Sequence, residues 1–313
     1  MKYKIYIYGG GNRYNALSAY LSAYDSLIDI EGIVTTKKQP YAYIDGIKCI
    51  TVDEINAEAV DYIIIAANAW YEIMNILRNK GVSEKKIIRA EVFQLPNFHF
   101  ESYLKVKNES FSILSNNCLA GVIYKELGLK SLTPTINMNC FGMDYIEFLS
   151  NYEYYCSQEI RAYTTKEYIE NPNLYHNFVP RGIINDKITF YFTHYKNEDE
   201  GIAVWKKGTE QMNCQNVVAL AALQSDEEAY AFDKLPIKRK LGFYYKNLGL
   251  DNVVYVDEWN DLNKRYHHAG DWSAFVVHYF SNSFEYISHI NWIKFLCGQK
   301  DYLRFQRRNE DSI

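Results

Sequence analysis

The sequence predicts an α/β protein, an N-terminal Rossmann-like parallel sheet followed by a larger C-terminal α/β domain. Three observations carry this. Residues 2–16, KYKIYIYGGGNRYNA, run from a short strand through three glycines into a helical segment, the layout of a first βα turn. Apolar runs such as Tyr62-Ile63-Ile64-Ile65-Ala66-Ala67 are too continuous for a one-sided sheet and fit parallel strands covered on both faces. Strand-like and helix-like segments then alternate along most of the chain.

In order, strand 4–8 leads through the glycines to a helix over 16–25. A strand over 29–35 and an extended piece over 44–50 follow. Strand 61–67 precedes a helix over 69–80 ended by Gly81, strand 87–92 comes next, and Pro96 marks the exit of the first domain, residues 1–100. The second domain, 101–313, opens with strand 112–114, the polar turn Ser115-Asn116-Asn117-Cys118 and a helix capped by Gly128. A helix over 144–158, strand 188–193, helix 198–211, strand 217–223 and a helix after Ser225 come next. Strands 241–245 and 253–256 and a last helix over 284–297 complete the set, with no low-complexity linker and no internal repeat.

At 313 residues the chain can fill two cores. Its 34 basic and 38 acidic residues nearly balance, which gives no reason to expect a nucleic-acid partner. The 29 tyrosines accompany abundant Ile, Asn and Lys, the codon signature of an AT-rich genome rather than a sugar-stacking inventory. No apolar segment approaches the ~20 residues that a bilayer requires, so the expectation is a cytoplasmic protein without a transmembrane span. Six cysteines show no C-x-x-C pair, which disfavours both a zinc site and a disulfide framework.

Gly9, Gly10, Gly11 and Asn12 form a turn suited to a phosphate or nucleotide at the next helix start, and Asn68 ends the neighbouring strand. Gly9 and Gly11 fit G-x-G-x-x-G, but Tyr14 stands where the third glycine belongs. The second strand ends Val34-Thr35-Thr36-Lys37-Lys38 with no carboxylate for a ribose, so NAD(P) is disfavoured. In the second domain, Ser115, Asn116 and Asn117 are expected to bind ligand. Cys118, on the first turn of a helix, is placed where a dipole favours its thiolate, and His194 at another strand's end could pair with it. Asp226, after strand 217–223, is a base or diphosphate-side carboxylate in one reading and the acidic first turn of a helix in the other. Asp257-Glu258 is a weaker instance, and His267-His268 reads as a surface pair. Trp205 recurs with Ile202 and Met212 at helical spacing and reads as core. Arg304, Arg307 and Arg308 belong to a charged tail.

Two resemblances add to this. The GGG turn with IEGIVTTKK, IDGIKCITVDEI, DYIIIAANAWYEIMNILRNKGV and KIIRAEVF resembles the small Rossmann-like domain that precedes bacterial sugar acyltransferases. The stretches SILSNNCLAGVIYKELGLKSLTPTINM, DYIEFLSNYEYY, ITFYFTHYKNEDEGIAVWKKGTEQMN and FDKLPIKRKLGFYY resemble a bacterial family defined as domain of unknown function 1919, whose members are often labelled exopolysaccharide biosynthesis proteins. Ser115, Asn116, Asn117, Cys118, Gly121, Pro134, Thr135, His194, Tyr195, Trp205, Asn213, Phe232, Asp233 and Pro236 occupy the family's places over residues 110–245. Leu119-Ala120 departs from the Trp-Gly of many members.

The resemblance implies a transferase-like enzyme of surface-polysaccharide synthesis, acting on a nucleotide-activated sugar, with Mg or Mn as a candidate cofactor, or on a glycan intermediate. His194 would then be the general base, with peripheral association with polysaccharide machinery. Two alternatives stay open: a non-catalytic nucleotide- or sugar-binding module, and a Cys118-dependent acyl transferase or hydrolase.

Overall fold

A computed structural model describes residues 2–170, 179–257, 259, 269–281 and 289–303. They fall into two compact units, Met1–Asn108 with Glu126–Gly128, and Glu109–Lys125 with Leu129–Ile313.

The first unit is a six-stranded sheet in the order β3-β4-β2-β1-β5-β6. β1 (Tyr3–Tyr8) pairs in parallel with β2 (Ile28–Thr35) on one side and β5 (Tyr62–Ile65) on the other, and β6 (Ile87–Arg89) continues the parallel set. The expected two-sided burial holds: Ile5, Ile7, Ile33, Ile63 and Ile64 are completely buried. Helix α1 (Asn12–Leu21) starts directly after Gly11, four residues earlier than the spacing predicts, and its end tightens into a 3₁₀ turn over Ser22–Tyr24. The piece expected over 44–50 is a hairpin of β3 (Tyr43–Ile44) and β4 (Ile47–Thr51), turned by Asp45 at φ 48° and Gly46 at φ 77°. Helix α2 (Trp70–Asn79) matches expectation. β6 stops at Arg89 because Ala90–Gln94 winds into a 3₁₀ turn, so the strand expected to reach 92 is shorter. Helix α3 (Phe100–Glu109) adds to the elements that the sequence predicts.

In the second unit β7 (Ser112–Ser115), β11 (Val217–Ala222), β12 (Arg239–Tyr244) and β13 (Val253–Tyr255) form a four-stranded, all-parallel sheet in the order β13-β12-β11-β7. The helices α4 (Leu119–Glu126), α8 (Glu198–Gln211) and α9 (Asp226–Asp233) follow the expected positions. The single helix expected over 144–158 is two, α5 (Gly142–Ser150) and α6 (Tyr152–Ser157), broken where Asn151 leaves helical geometry at φ −146° and ψ 50°.

A separate antiparallel sheet in the order β10-β9-β8 has no counterpart in the sequence pattern. It contains β8 (Ile160–Ala162), β9 (Arg181–Ile184) and β10 (Ile188–Tyr191), with helix α7 (Thr165–Glu170) between the first two. The segment read as an α/β strand before His194 therefore belongs to this sheet. Among the described residues, the last expected helix is confined to Trp292–Leu296, because Ile290 instead bridges to Leu303 and Asn291 caps the helix. The helix Ala269–Tyr279 is a further element beyond those that the sequence predicts. Glu258, His267, His268, Arg304, Arg307, Arg308 and residues 284–288 lie outside the described residues.

The core of the second unit gathers Trp205 with Phe148, Phe190 and Phe192. Helix α8 approaches it along Gly201, Trp205 and Gly208. A Cβ on Gly208 would lie 2.4 Å from Pro134 Cα, so this glycine lets the Thr133-Pro134-Thr135 turn rest directly on the helix. No helix of the described residues is long and apolar enough to cross a membrane.

Candidate functional site

The carboxyl end of β7 builds the site. Asn116 is buried, and its side-chain amide works as a two-way clamp: Nδ2 donates to Ala222 O at 3.0 Å and Oδ1 accepts from Ala222 N at 2.9 Å. It continues the β7–β11 ladder by one side-chain rung beyond Ser115. Asn117, 2 % exposed, accepts at Oδ1 from Ser115 Oγ at 2.8 Å and from Leu119 N at 3.0 Å, which caps α4. Its Nδ2 donates to Ser273 O at 3.4 Å. Ser115 is also buried, and its N–H donates to Thr135 Oγ1 at 3.2 Å. The three residues expected to bind ligand thus have polar groups engaged in anchoring the loop that presents Cys118, within itself and to Thr135, Ala222 and Ser273.

Cys118 stands at the start of α4, and its Sγ lies 3.0 Å from His194 Nε2. The imidazole arrives from the turn after β10. Phe192 N donates to Pro180 O at 2.8 Å and Tyr195 N to Phe192 O at 3.0 Å, while the Tyr195 hydroxyl donates to Ile136 O at 2.7 Å. Phe192 in turn lies against Gly201, where a Cβ would meet its ring at 2.2 Å. His194 is exposed and Cys118 partly so, which leaves the pair open to solvent from one side. Burial pushes the Cys118 thiol up to about 11, so desolvation outweighs the helix end that was expected to favour the thiolate. The Tyr195 phenol is pushed to about 12, chiefly by burial and then by Cys118 and Glu200. An α-helix leaves its first-turn N–H groups without intrahelical acceptors. With Leu119 N taken by Asn117, the amides of Cys118 itself, Ala120 and Gly121 are the remaining donors closest in sequence to the thiol. Asn137 Oδ1 lies where a Cβ on Gly121 would be, at 2.5 Å, so that glycine admits a polar side chain beside the helix start.

Asp226 sits elsewhere in the network. It opens α9 behind the Ser225 cap, and its Oδ1 accepts from Tyr244 OH at 2.6 Å and from Lys246 Nζ at 2.8 Å. Those hydrogen bonds, Lys246 first, hold its carboxyl below the usual range, which makes it a weak proton acceptor at neutrality. Ser225 Oγ accepts from Glu228 N, and the Glu228 carboxylate accepts from Ser225 Oγ and Gln224 N, so the acidic run is a capped helix start. Among the described residues no three His, Cys, Asp or Glu side chains come together as a metal-ligand set.

In the first unit, Gly9 is fixed at φ 108°, with a Cβ position 2.6 Å from Ala66 O, and Gly10 is crowded by Ile44 at 2.4 Å. Gly11, the residue before α1, has open space. Asn12 and Asn68 are exposed at this turn, and Asn68 Oδ1 accepts from Arg13, which also pairs with Glu91. Tyr14, in the third-glycine place, is buried beneath the turn, and burial with the Asp45 contact raises its hydroxyl to about 12.

Residues 89–305 match the family model described as domain of unknown function DUF1919, and residues 1–88 match a C2185-like N-terminal domain. A protein of Haemophilus influenzae described as uncharacterized is 22% identical over 191 residues, 60% of this chain and 87% of the relative. A crystal structure of aspartate semialdehyde dehydrogenase II from Vibrio cholerae aligns over 72% of this chain and 70% of its own at 11% identity, with a TM-score of 0.24. A mutant meso-dapdh from Clostridium tetani E88 aligns over 73% of this chain and 74% of its own, also at 11% identity, with a TM-score of 0.22.

Proposed function

This chain belongs to the DUF1919 family, and we propose that its second unit is a thiol-dependent acyl-transfer enzyme in which Cys118 is the nucleophile and His194 the general base. One observation carries the reading: Sγ and Nε2 stand 3.0 Å apart on loops from two different sheets. A structural cysteine needs no imidazole, and an imidazole that only capped a turn would have no reason to face sulfur.

The chemistry follows from the buried thiol. Because Cys118 holds its proton to about 11, the thiolate forms as part of the attack rather than ahead of it. Sγ bonds to the carbonyl carbon of an ester or thioester while the thiol proton passes to Nε2. The tetrahedral oxyanion faces first-turn amides of α4. Collapse expels the alkoxide or thiolate, which takes the proton from Nε2 and leaves a thioester on Cys118. An acceptor hydroxyl, or water, then gives its proton to Nε2, attacks the thioester carbonyl and releases the thiol. The polysaccharide role implied by the family resemblance would make that acceptor a glycan hydroxyl. The glycine turn of the first unit supports a nucleotide-sugar or other phosphate ligand there, because the fold itself accounts for Gly9 and Gly10 but leaves space at Gly11.

The test is incubation with p-nitrophenyl acetate, reading p-nitrophenol release and the site of acetylation by peptide mass spectrometry. Acetyl is expected on Cys118 ahead of the other five cysteines, with release lost in Cys118→Ala and lowered ~100-fold or more in His194→Ala. Acetylation spread evenly over the cysteines, or unchanged in His194→Ala, would overturn the reading.

A further inference from the structure

The dyad leaves Asn139 without a task. This side chain is nine-tenths buried, and its Oδ1 meets no hydrogen-bond donor among the described residues. A buried amide oxygen left alone costs about 1–3 kcal/mol, and native structures keep few such groups. Its backbone is tightly placed. Asn139 N donates to Tyr191 O at 2.9 Å, and Asn139 O accepts from Tyr191 N at 2.8 Å. Tyr191 closes β10 three residues ahead of His194. On the other side, Cys140 N donates to Asn116 O at 3.3 Å, two residues ahead of Cys118. Asn139 therefore stands between the two backbone segments that end in the imidazole and in the thiol.

For Nε2 to accept the thiol proton it must be bare, so the imidazole hydrogen sits on Nδ1. Among the described residues Nδ1 has no acceptor of its own. A buried acceptor without a donor lies on a segment adjoining the one that carries an imidazole hydrogen with no protein acceptor among the described residues. Resting on the Cys118–His194 reading, we infer that Asn139 is the positioning residue of the dyad, its Oδ1 accepting the Nδ1 hydrogen of His194 as substrate draws the imidazole in. Catalytic hydrogen bonds are commonly long in the unliganded state and tighten on binding. An amide suits the task, since it fixes the tautomer without adding the charge that a carboxylate would. The titratable groups around the pair are Cys118, Tyr195 and Lys196 on its own segments, Glu200 at the start of α8, and Cys140 with Asp144 beside Asn139.

The test is alkylation of Cys118 by iodoacetamide between about pH 5 and 9, the span over which histidine titrates, with the other five cysteines as internal reference. The wild type should show a rising limb that His194→Ala removes. Asn139→Ala should slow the limb by about tenfold or more, the worth of one hydrogen bond to a charged group. Asn139→Asp should restore the rate and displace the limb to higher pH, because a carboxylate behind the ring favours the imidazolium. A packing role alone would lower the melting temperature of both variants and leave the limb in place. If His194→Ala removes the limb while both Asn139 variants leave it unmoved, the positioning role is overturned and the dyad stands. If the wild type has no His194-dependent limb, both fall. Should Asn139→Ala not fold, the displacement in Asn139→Asp decides alone.

Discussion

At Cys118 two physical effects oppose each other. The start of α4 favours a negative charge on sulfur, and removal from water disfavours it more strongly, so the folded protein keeps the thiol proton to about 11. An unfolded chain gives up that proton near pH 9. The folded state's value is the higher one, so the contribution to stability is whole below pH 9 and drains away as the pH rises towards 11, by up to about 3 kcal/mol. In thermal melts, the stability difference between wild type and Cys118→Ala should narrow over that window, while the other cysteines and tyrosines cancel. A difference constant with pH would mean that the thiol ionises as it does in the unfolded chain. One that widened would signal a preformed thiolate–imidazolium pair. Of this site, the pairing was legible in the sequence, because a Cys at a helix start and a His after a strand are both readable from local pattern. The direction of the thiol's titration was not, since it depends on what covers the sulfur. Nor were the parts of Asn116 and Asn117, whose partners Ala222 and Ser273 lie more than a hundred residues away in sequence.

Helix α8 decides where those loops can be. Its buried face carries Gly201, Trp205 and Gly208, and each glycine is met by a neighbour that a side chain would displace. Phe192, against Gly201, is completely buried and precedes His194 by two residues. Gly201→Ala would force its Cβ into that ring, an overpacking that costs about 1–3 kcal/mol and should lower the melting temperature by several degrees. Lys206→Ala, on the exposed face of the same helix, should leave it unchanged. Equal melting of both variants would mean that Phe192 can move aside, and that the helix does not fix the turn. The helix itself was readable to the residue because Asn197 caps it and its apolar positions repeat at helical spacing. The antiparallel sheet beside it was not. β8 and β9 are three and four residues long, carry Arg161 and Arg181 within them, and acquire their strand character from pairing with each other.

For the molecule as a whole, two units each with a parallel sheet raise the question of what the first contributes to a reaction placed in the second. The parallel sheets were legible because unbroken apolar runs betray two-sided burial; whether a ligand occupies the glycine turn is a matter of space, which letters do not encode. That space is what makes the turn testable. Gly9→Ala would strike Ala66 O and confound binding with folding, whereas Gly11 has no atom near its Cβ position and an ordinary negative φ of −100°, so Gly11→Val should fold. A panel of UDP-, GDP-, dTDP- and CMP-sugars, NAD(P), S-adenosylmethionine and coenzyme A, with and without Mg²⁺ or Mn²⁺, can be read by thermal shift. A ligand at ~100 times its dissociation constant adds about 2.7 kcal/mol. A nucleotide-sugar should raise the melting temperature by several degrees; Gly11→Val should abolish the shift and Cys118→Ala should keep it. A shift that survives Gly11→Val would remove the turn from recognition. A shift by coenzyme A lost in Cys118→Ala would place the acyl donor at the thiol, and the acyl-transfer reading would then have its first substrate.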